Sequence, residues 1–297
     1  MDIAPLVRSA SLLETVKYIN VASGAVFLTD YVQTFDMEVE HIWKSKMSIA
    51  NVLFYLSRYL PFIDLPMVLY YALAPNISNK TCFQLYVISS GFTAFGIGVA
   101  ESIMVLRTYA LWGNNRRVLV FLMGLIAACY IPVIVFLVVF FRSLKYGDPP
   151  LPTVLGCYPT EGSIILFGDF AILMFLEATI MAMTLWIGYK RFRHSRNPLV
   201  RTLYRDGIFY FVYLFLISAG NVIVLVAGPP EYVDLLNTFQ RVMHSVLSTR
   251  TMLHVRDTAR RDMRTTEREE TTGSLAFTTL VPSTAHTTYQ EQGHNLQ

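Results

Sequence analysis

The chain has 297 residues, of which 54% are hydrophobic and 15% charged, with a formal net charge of +3 and a mean hydropathy of +0.44. That balance leaves too little polar sequence to surround a soluble domain, and basic residues that sit beside apolar stretches argue for topology rather than for a nucleic-acid partner. An all-α bundle of seven transmembrane helices in one bilayer-embedded domain is the expectation.

A bilayer-spanning helix needs ~20 mostly apolar residues at about 1.5 Å rise each. Seven stretches meet that need: 13–35, 47–74, 82–112, 117–141, 163–189, 206–228 and 231–255. The first is the weakest, because Lys17 and Asp30 lie near its ends. Met1 to Ala10 has no basic run, apolar run and cleavage site in succession, so the first span takes the role of targeting signal. The expected organisation is a short extracellular amino terminus over 1–12, a membrane domain over 13–256 and a cytoplasmic tail over 257–297. From Thr265 onward the tail is rich in Thr, Ser, Gln and Glu, the composition of a disordered segment. Within the spans, Pro61, Pro66 and Pro132 remove backbone hydrogen bonds and kink their helices. Ser90, Ala94, Gly98 and Ser102 recur every four residues and give the third span a small-residue stripe for close helix approach.

Charge sets the orientation. With the amino terminus outside, the loops near 36–46, 113–116 and 190–205 and the tail carry fifteen of the 24 basic residues, against five on the other side and four inside spans. That asymmetry follows the positive-inside rule and places the carboxyl terminus in the cytoplasm, with the plasma membrane as the expected location. Asn76-Ile77-Ser78 and Asn79-Lys80-Thr81 are glycosylation acceptors by sequence and fall on the outer face. Cys82 and Cys157 fall on the same oxidising face, and Cys129 lies inside the fourth span. A Cys82–Cys157 disulfide is one reading and two unpaired thiols the other. The bridge would tie the long loop over 142–162, with its prolines, across the mouth of the bundle.

Ionisable side chains at mid-bilayer need a partner, a water-filled cavity or a function. Arg58 in the second span and Glu101 in the third both come out at roughly 16 Å depth. On neighbouring antiparallel helices they are expected to form an ion pair. Glu177 in the fifth span, with Arg241 and His244 in the seventh, also falls near mid-membrane and forms a candidate polar floor to an outward cavity; Asp64 and Asp169 lie nearer the outer face. The competing reading is that all these groups lock helices together and bind nothing. On the inner face, Lys190 to Arg205 and Arg256 to Arg268 attract anionic lipids and offer a docking surface for a cytoplasmic signalling protein.

The chemistry of enzymes is missing from the pattern, and neither a cofactor nor a metal is expected. A retinal site would need a lysine in the last span, and there is none. Haem bundles use paired histidines, whereas only His244 lies deep in a span. A zinc site needs several His or carboxylate ligands at one point, which one deep histidine does not supply. A membrane aspartyl protease would need facing aspartates; Gly168-Asp169 with Asp64 is a weak echo of that pattern. Gly96-Ile97-Gly98 lies within a span and is no nucleotide loop.

Tyr31 with Thr34-Phe35-Asp36, then Glu38-Val39-Glu40, Ile42-Trp43-Lys44, Arg58-Tyr59-Leu60-Pro61 and Arg107-Thr108-Tyr109-Ala110-Leu111-Trp112 resemble motifs of fungal, mainly basidiomycete, seven-span membrane proteins with an amino-terminal domain of unknown function. The resemblance covers most of 15–256. It implies a seven-span fold and a fungal source, and no activity. The general plan also resembles heptahelical receptors, and there Arg107, followed by Tyr109, falls where receptors keep a cytoplasmic switch. No carboxylate immediately precedes Arg107, and the last span has no Asn-Pro-x-x-Tyr, so coupling to a G protein is an analogy of architecture. The leading expectation is a receptor-like sensor of a small or lipidic ligand. A solute or ion transporter and a membrane scaffold are the alternatives; the missing internal repeat disfavours the transporter.

Overall fold

The structure, a computed structural model, describes residues 3–75, 77–147, 155–161, 165–192 and 198–280. These residues form eight α-helices: α1 (Ile3–Glu38), α2 (Ile49–Tyr59), α3 (Pro61–Leu73), α4 (Asn79–Leu111), α5 (Arg116–Ser143), α6 (Leu166–Ile187), α7 (Pro198–Ala227) and α8 (Asn237–Leu280). π-helical turns at Val39–Trp43 and Gly188–Phe192 extend α1 and α6. Helices α2 and α3 make one rod interrupted at Leu60, and Pro61 takes the first position of α3, where a missing N–H costs no helical hydrogen bond. Ser48, Ser78 and Asn115 cap α2, α4 and α5 with side-chain oxygens, satisfying amide donors that a helix start leaves open. The α4–α5 turn runs through Gly113 and Asn114 at φ of 68° and 58°, the left-handed region that suits these two residue types.

Seven rods therefore stand where the seven apolar stretches lie. Five of them are long and apolar enough to cross a membrane: Ile49–Leu73, Asn79–Leu111, Arg116–Ser143, Leu166–Lys190 and Ile208–Ala227. The apolar character identifies an integral membrane protein. Helices α1 and α8 do not meet that measure, and their buried residues explain why. α1 turns Asn20, Ser23, Asp30, Thr34 and Glu38 inward, and α8 turns Gln240, Arg241, His244, Ser245, Ser248 and Thr249 inward. α5 is the opposite extreme: its most apolar window has a mean hydropathy of 2.7 and is only 17% buried. Val120, Phe121, Ile131, Ile134, Val135 and Val138 point outward, a surface that suits lipid and not water.

α4 is the central rod, packed against α2, α3, α5, α6 and α8, and α1 packs on α3 and α8, so that the first and last helices meet. The main apolar core lies between α4, α5, α6, α7 and α8 and contains Met104, Leu122, Leu176, Ile180, Phe211 and Leu214. A hydroxyl seam joins α2 to α8: Ser245 Oγ donates to the Ser57 carbonyl at 2.6 Å, and the Ser57 and Ser248 hydroxyls are 3.0 Å apart.

Three segments carry secondary structure beyond the expected spans. The amino-terminal segment is helical from Ile3, inside the stretch expected as a short extracellular end. The long 142–162 loop contains a hairpin of β1 (Lys145–Gly147) and β2 (Tyr158–Glu161). Helix α8 runs to Leu280, well past 257 and into the segment expected to be disordered. Its first exposed turns are held by Arg260 to Glu40 at 2.8 Å and by Arg261 to Asp257, one turn apart, at 2.9 Å. Residues after 280 lie outside the described residues, as do Pro149, Pro150 and Pro152 of the loop.

Candidate functional site

Among the described residues, the buried charges other than Arg107 fall into three groups, the first at the end opposite the disulfide. In the first, Arg58 on α2 is 1% exposed and lies against α1. Its Nε donates to Glu38 at 2.8 Å, its Nη1 reaches Asp30 at 3.4 Å, and its Nη2 donates to Thr34 Oγ1 at 2.7 Å and to the Tyr31 carbonyl at 3.0 Å. The Tyr31 ring lies 4.7 Å from the guanidinium carbon, a cation–π contact. Glu38 also accepts from the Tyr59 hydroxyl at 2.7 Å and the Trp43 indole at 3.1 Å. Arg250 of α8 binds Asp30 from the other side and donates to Gln33 at 3.0 Å. Two arginines meet two carboxylates, so the group is charge-balanced. The expected Arg58–Glu101 pair is therefore replaced: the two residues share a depth, but Arg58 faces α1 and Glu101 faces α6 and α8. The sequence did carry a signal for the true partners, since Asp30, Thr34 and Glu38 recur every four residues on one helix face.

The second group joins α3 to α8. Arg241 Nε donates to Asp64 Oδ2 at 2.8 Å, and both side chains are 1% exposed. The guanidinium lies on the α4 backbone at Gly96, where an added Cβ would come within 2.2 Å of it. Arg241 and Asp64 line a cavity of about 300 Å³ that opens between α1, α3, α4 and α8. Asn20, Ser89, Thr93 and Lys17 lie on its walls, and Cys157, Tyr158 and Pro159 close it above. Its floor keeps hydrogen-bonding capacity in reserve: Arg241 Nη1 and Nη2, Asp64 Oδ1 and Asn20 Oδ1 are buried without a hydrogen-bond partner.

The roof is fastened at several points. Cys82 and Cys157 are disulfide-bonded across 75 residues of sequence, as the first of the two cysteine readings expects. Gly156 N–H donates to the Ala74 carbonyl at 3.1 Å and Cys157 N–H to the Tyr71 carbonyl at 3.0 Å, so the loop satisfies carbonyls at the open end of α3. Gly156 sits at φ +82°, and a Cβ there would lie 2.3 Å from the Ala72 oxygen; glycine suits both demands. Lys17 Nζ donates to the Leu155 carbonyl at 2.6 Å. Tyr71 and Tyr146 join through their hydroxyls at 3.2 Å, and burial pushes the Tyr146 phenol well above its ordinary range, which keeps it neutral.

The third group lies one helical turn below Arg241. His244 of α8 sits between Glu101 of α4 and Glu177 of α6, with Nδ1 3.5 Å from Glu101 Oε1 and Nε2 3.2 Å from Glu177 Oε1. All three residues are 1% exposed or less, and none of their six polar side-chain atoms has a hydrogen-bond partner. One ligating atom from each falls within 4.8 Å of the other two. The expected polar floor is thus split. Arg241 faces the cavity, whereas Glu177 and His244 are packed beneath it with Glu101. The expectation of no metal counts histidines; in the structure, carboxylates from two other helices converge on the single deep one.

At the far end of α4, Arg107 is buried and Tyr109 half-buried. Their neighbour Thr108 lies 3.2 Å from Thr184 of α6, hydroxyl to hydroxyl. Asn79, the first residue of α4, is exposed, whereas Asn76 lies outside the described residues; the Ser78 and Thr81 hydroxyls of the two acceptor motifs meet at 2.8 Å in the helix cap. Of the basic residues expected to face a cytoplasmic partner, Arg193 and Arg196 lie outside the described residues. Arg256 is engaged within the chain, donating to the His41 carbonyl at 3.0 Å and to Ser45 Oγ at 3.1 Å.

No curated protein matches the chain. Residues 18–63 match a family of unknown function, DUF6533, and this segment holds Asp30, Tyr31, Thr34, Glu38, Arg58 and Tyr59. What the chain shares with that family is therefore the segment that builds most of the Arg58 network.

Proposed function

We propose that the protein is a receptor-like heptahelical sensor, with its amino terminus outside and its carboxyl terminus in the cytoplasm of a plasma-membrane protein. It takes a small amphiphilic ligand in the cavity at the disulfide-bearing end. The carrying observation is the cavity floor, where Arg241 and Asp64 line a space of about 300 Å³ while the two Nη groups of Arg241 and Oδ1 of Asp64 have no hydrogen-bond partner. A volume near the lower end of small-molecule sites, lined by apolar side chains such as Leu13, Val16 and Val68 and by polar ones such as Lys17, Asn20, Ser89 and Thr93, suits a ligand whose head both accepts and donates hydrogen bonds, such as a hydroxy acid or an amide. The orientation is supported by the basic asymmetry and by a disulfide at the end assigned to the oxidising side. Helices α1 and α8 count as spans in this reading because their polar residues are spent on internal partners, which lets a helix of modest hydropathy lie in lipid. α8 supplies the coupling element. It carries Arg241 at the cavity, and further along it Arg250, Arg256 and Arg260 contact α1 and the segment that follows it.

The test is thermal unfolding of the purified protein against medium-chain hydroxy acids and amides. A ligand-induced rise in Tm is expected for the wild type. It is lost in Ser89→Leu, which fills the cavity wall and leaves the Arg241–Asp64 pair intact. Solute flux in liposomes with no ligand-dependent change at the opposite face would replace the sensor with a transporter.

A further inference from the structure

We propose that Glu101, Glu177 and His244 bind one divalent transition-metal ion, at a site distinct from the cavity above it. Charge balance is the first argument. The Arg58 group sets Arg58 and Arg250 against Asp30 and Glu38, and the Arg241 group sets one arginine against Asp64. The third group has two carboxylates and an imidazole, and Arg241, one helical turn away on α8, is already bound to Asp64. Two ionised carboxylates beside a neutral imidazole carry a charge of −2, which a divalent ion cancels. Bringing such a pair together in a low-dielectric interior without compensation is far costlier than any single contact here returns.

Satisfaction is the second argument. Six buried polar atoms on three helices have no hydrogen-bond partner, although buried polar groups in folded proteins are paired almost without exception. The imidazole is the least exposed of the three at 0%; it ligates through one nitrogen, and one donor atom from each of the three residues lies within 4.8 Å of the other two. The 3.2 Å between His244 Nε2 and Glu177 Oε1 is close to the separation of two ligands on one tetrahedral ion with bonds of about 2.0–2.1 Å. Donor chemistry selects the class. An imidazole nitrogen disfavours Ca²⁺ and Mg²⁺, which take oxygen, and suits Zn²⁺, Mn²⁺ or Fe²⁺ alongside carboxylates. Three protein donors leave a coordination position open.

The experiment uses the full chain in detergent with Zn²⁺ alone as the probe. Elemental analysis is expected to find one equivalent per chain that a chelator removes, and Zn²⁺ is expected to raise the Tm of the chelated protein. His244→Gln and Glu177→Gln keep side-chain shape closely enough to fold, and each is expected to lose both the equivalent and the Tm rise. X-ray absorption of the loaded wild type is expected to show one imidazole and otherwise oxygen ligands, a readout that needs no variant. Three outcomes overturn the proposal: a Tm indifferent to both chelator and Zn²⁺, full Zn²⁺ binding in both variants, or sulfur in the coordination shell. Protons alone would then neutralise the cluster.

Discussion

The position of Arg241 depends on a residue that makes no polar contact with it. A methyl group at residue 96 would enter the guanidinium, and the guanidinium has little freedom to retreat because Asp64 holds its Nε. Gly96→Ala is therefore expected to destabilise the protein by about 1–3 kcal/mol, the usual range for overpacking. The loss should shrink when Arg241→Met and Asp64→Leu free the position, a comparison that thermal unfolding can make. Arg58 gives a second test. Arg58→Ala leaves Glu38 and Asp30 short of a cation and is expected to cost about 3–5 kcal/mol. Combined with Glu38→Gln the losses should couple, whereas combined with Glu101→Gln they should add to within about 0.5 kcal/mol. Non-additivity with Glu101 would restore the pairing that depth alone suggests. Depth was legible in the sequence because it is linear in residue count. Rotation was not, because α4 is apolar on most sides and offers no polar stripe to say which face meets α2. On α1 the stripe of Asp30, Thr34 and Glu38 was present, but the expected span stopped at residue 35 and left Glu38 in a loop.

At the scale of elements, the five most apolar spans are readable to within a few residues because continuous hydropathy is the dominant signal in a membrane chain. The α2–α3 break was readable from Pro61. The hairpin over the cavity was not, since three- and four-residue strands carry almost no periodic signal. The continuation of α8 was hidden by composition: the Thr, Ser, Gln and Glu after residue 265 read as disorder, whereas the helix runs to Leu280, its earlier turns held by Arg256 and Arg260 against the segment after α1. The roof is the element most open to experiment. Cys157→Ser is expected to lower stability by about 2–5 kcal/mol and to weaken ligand binding in the cavity that the hairpin closes. Mass spectrometry after alkylation should find Cys82 and Cys157 blocked in the native, unreduced protein. Reaction of both with an alkylating agent would remove the tether.

For the whole molecule, α1 and α8 set the number of crossings: seven spans if both cross, six if one does and five if neither does. The count is six or five without a crossing by α1. Ser11 and Lys46 are both exposed, on either side of its apolar stretch. In intact cells a membrane-impermeant maleimide is expected to label Ser11→Cys and not Lys46→Cys; labelling of both would mean that α1 does not cross. The contact between α1 and α8 also has a consequence in time. Asp30 takes one of its two arginines from α2, made soon after it, and the other from Arg250, 220 residues later in the chain. Until the ribosome reaches α8, the first helix faces lipid or a chaperone with part of its polar face uncovered. Its final place in the bundle is therefore fixed last, although it is synthesised first, and a chain cut short before α8 should be recognised by quality control through its own amino-terminal helix.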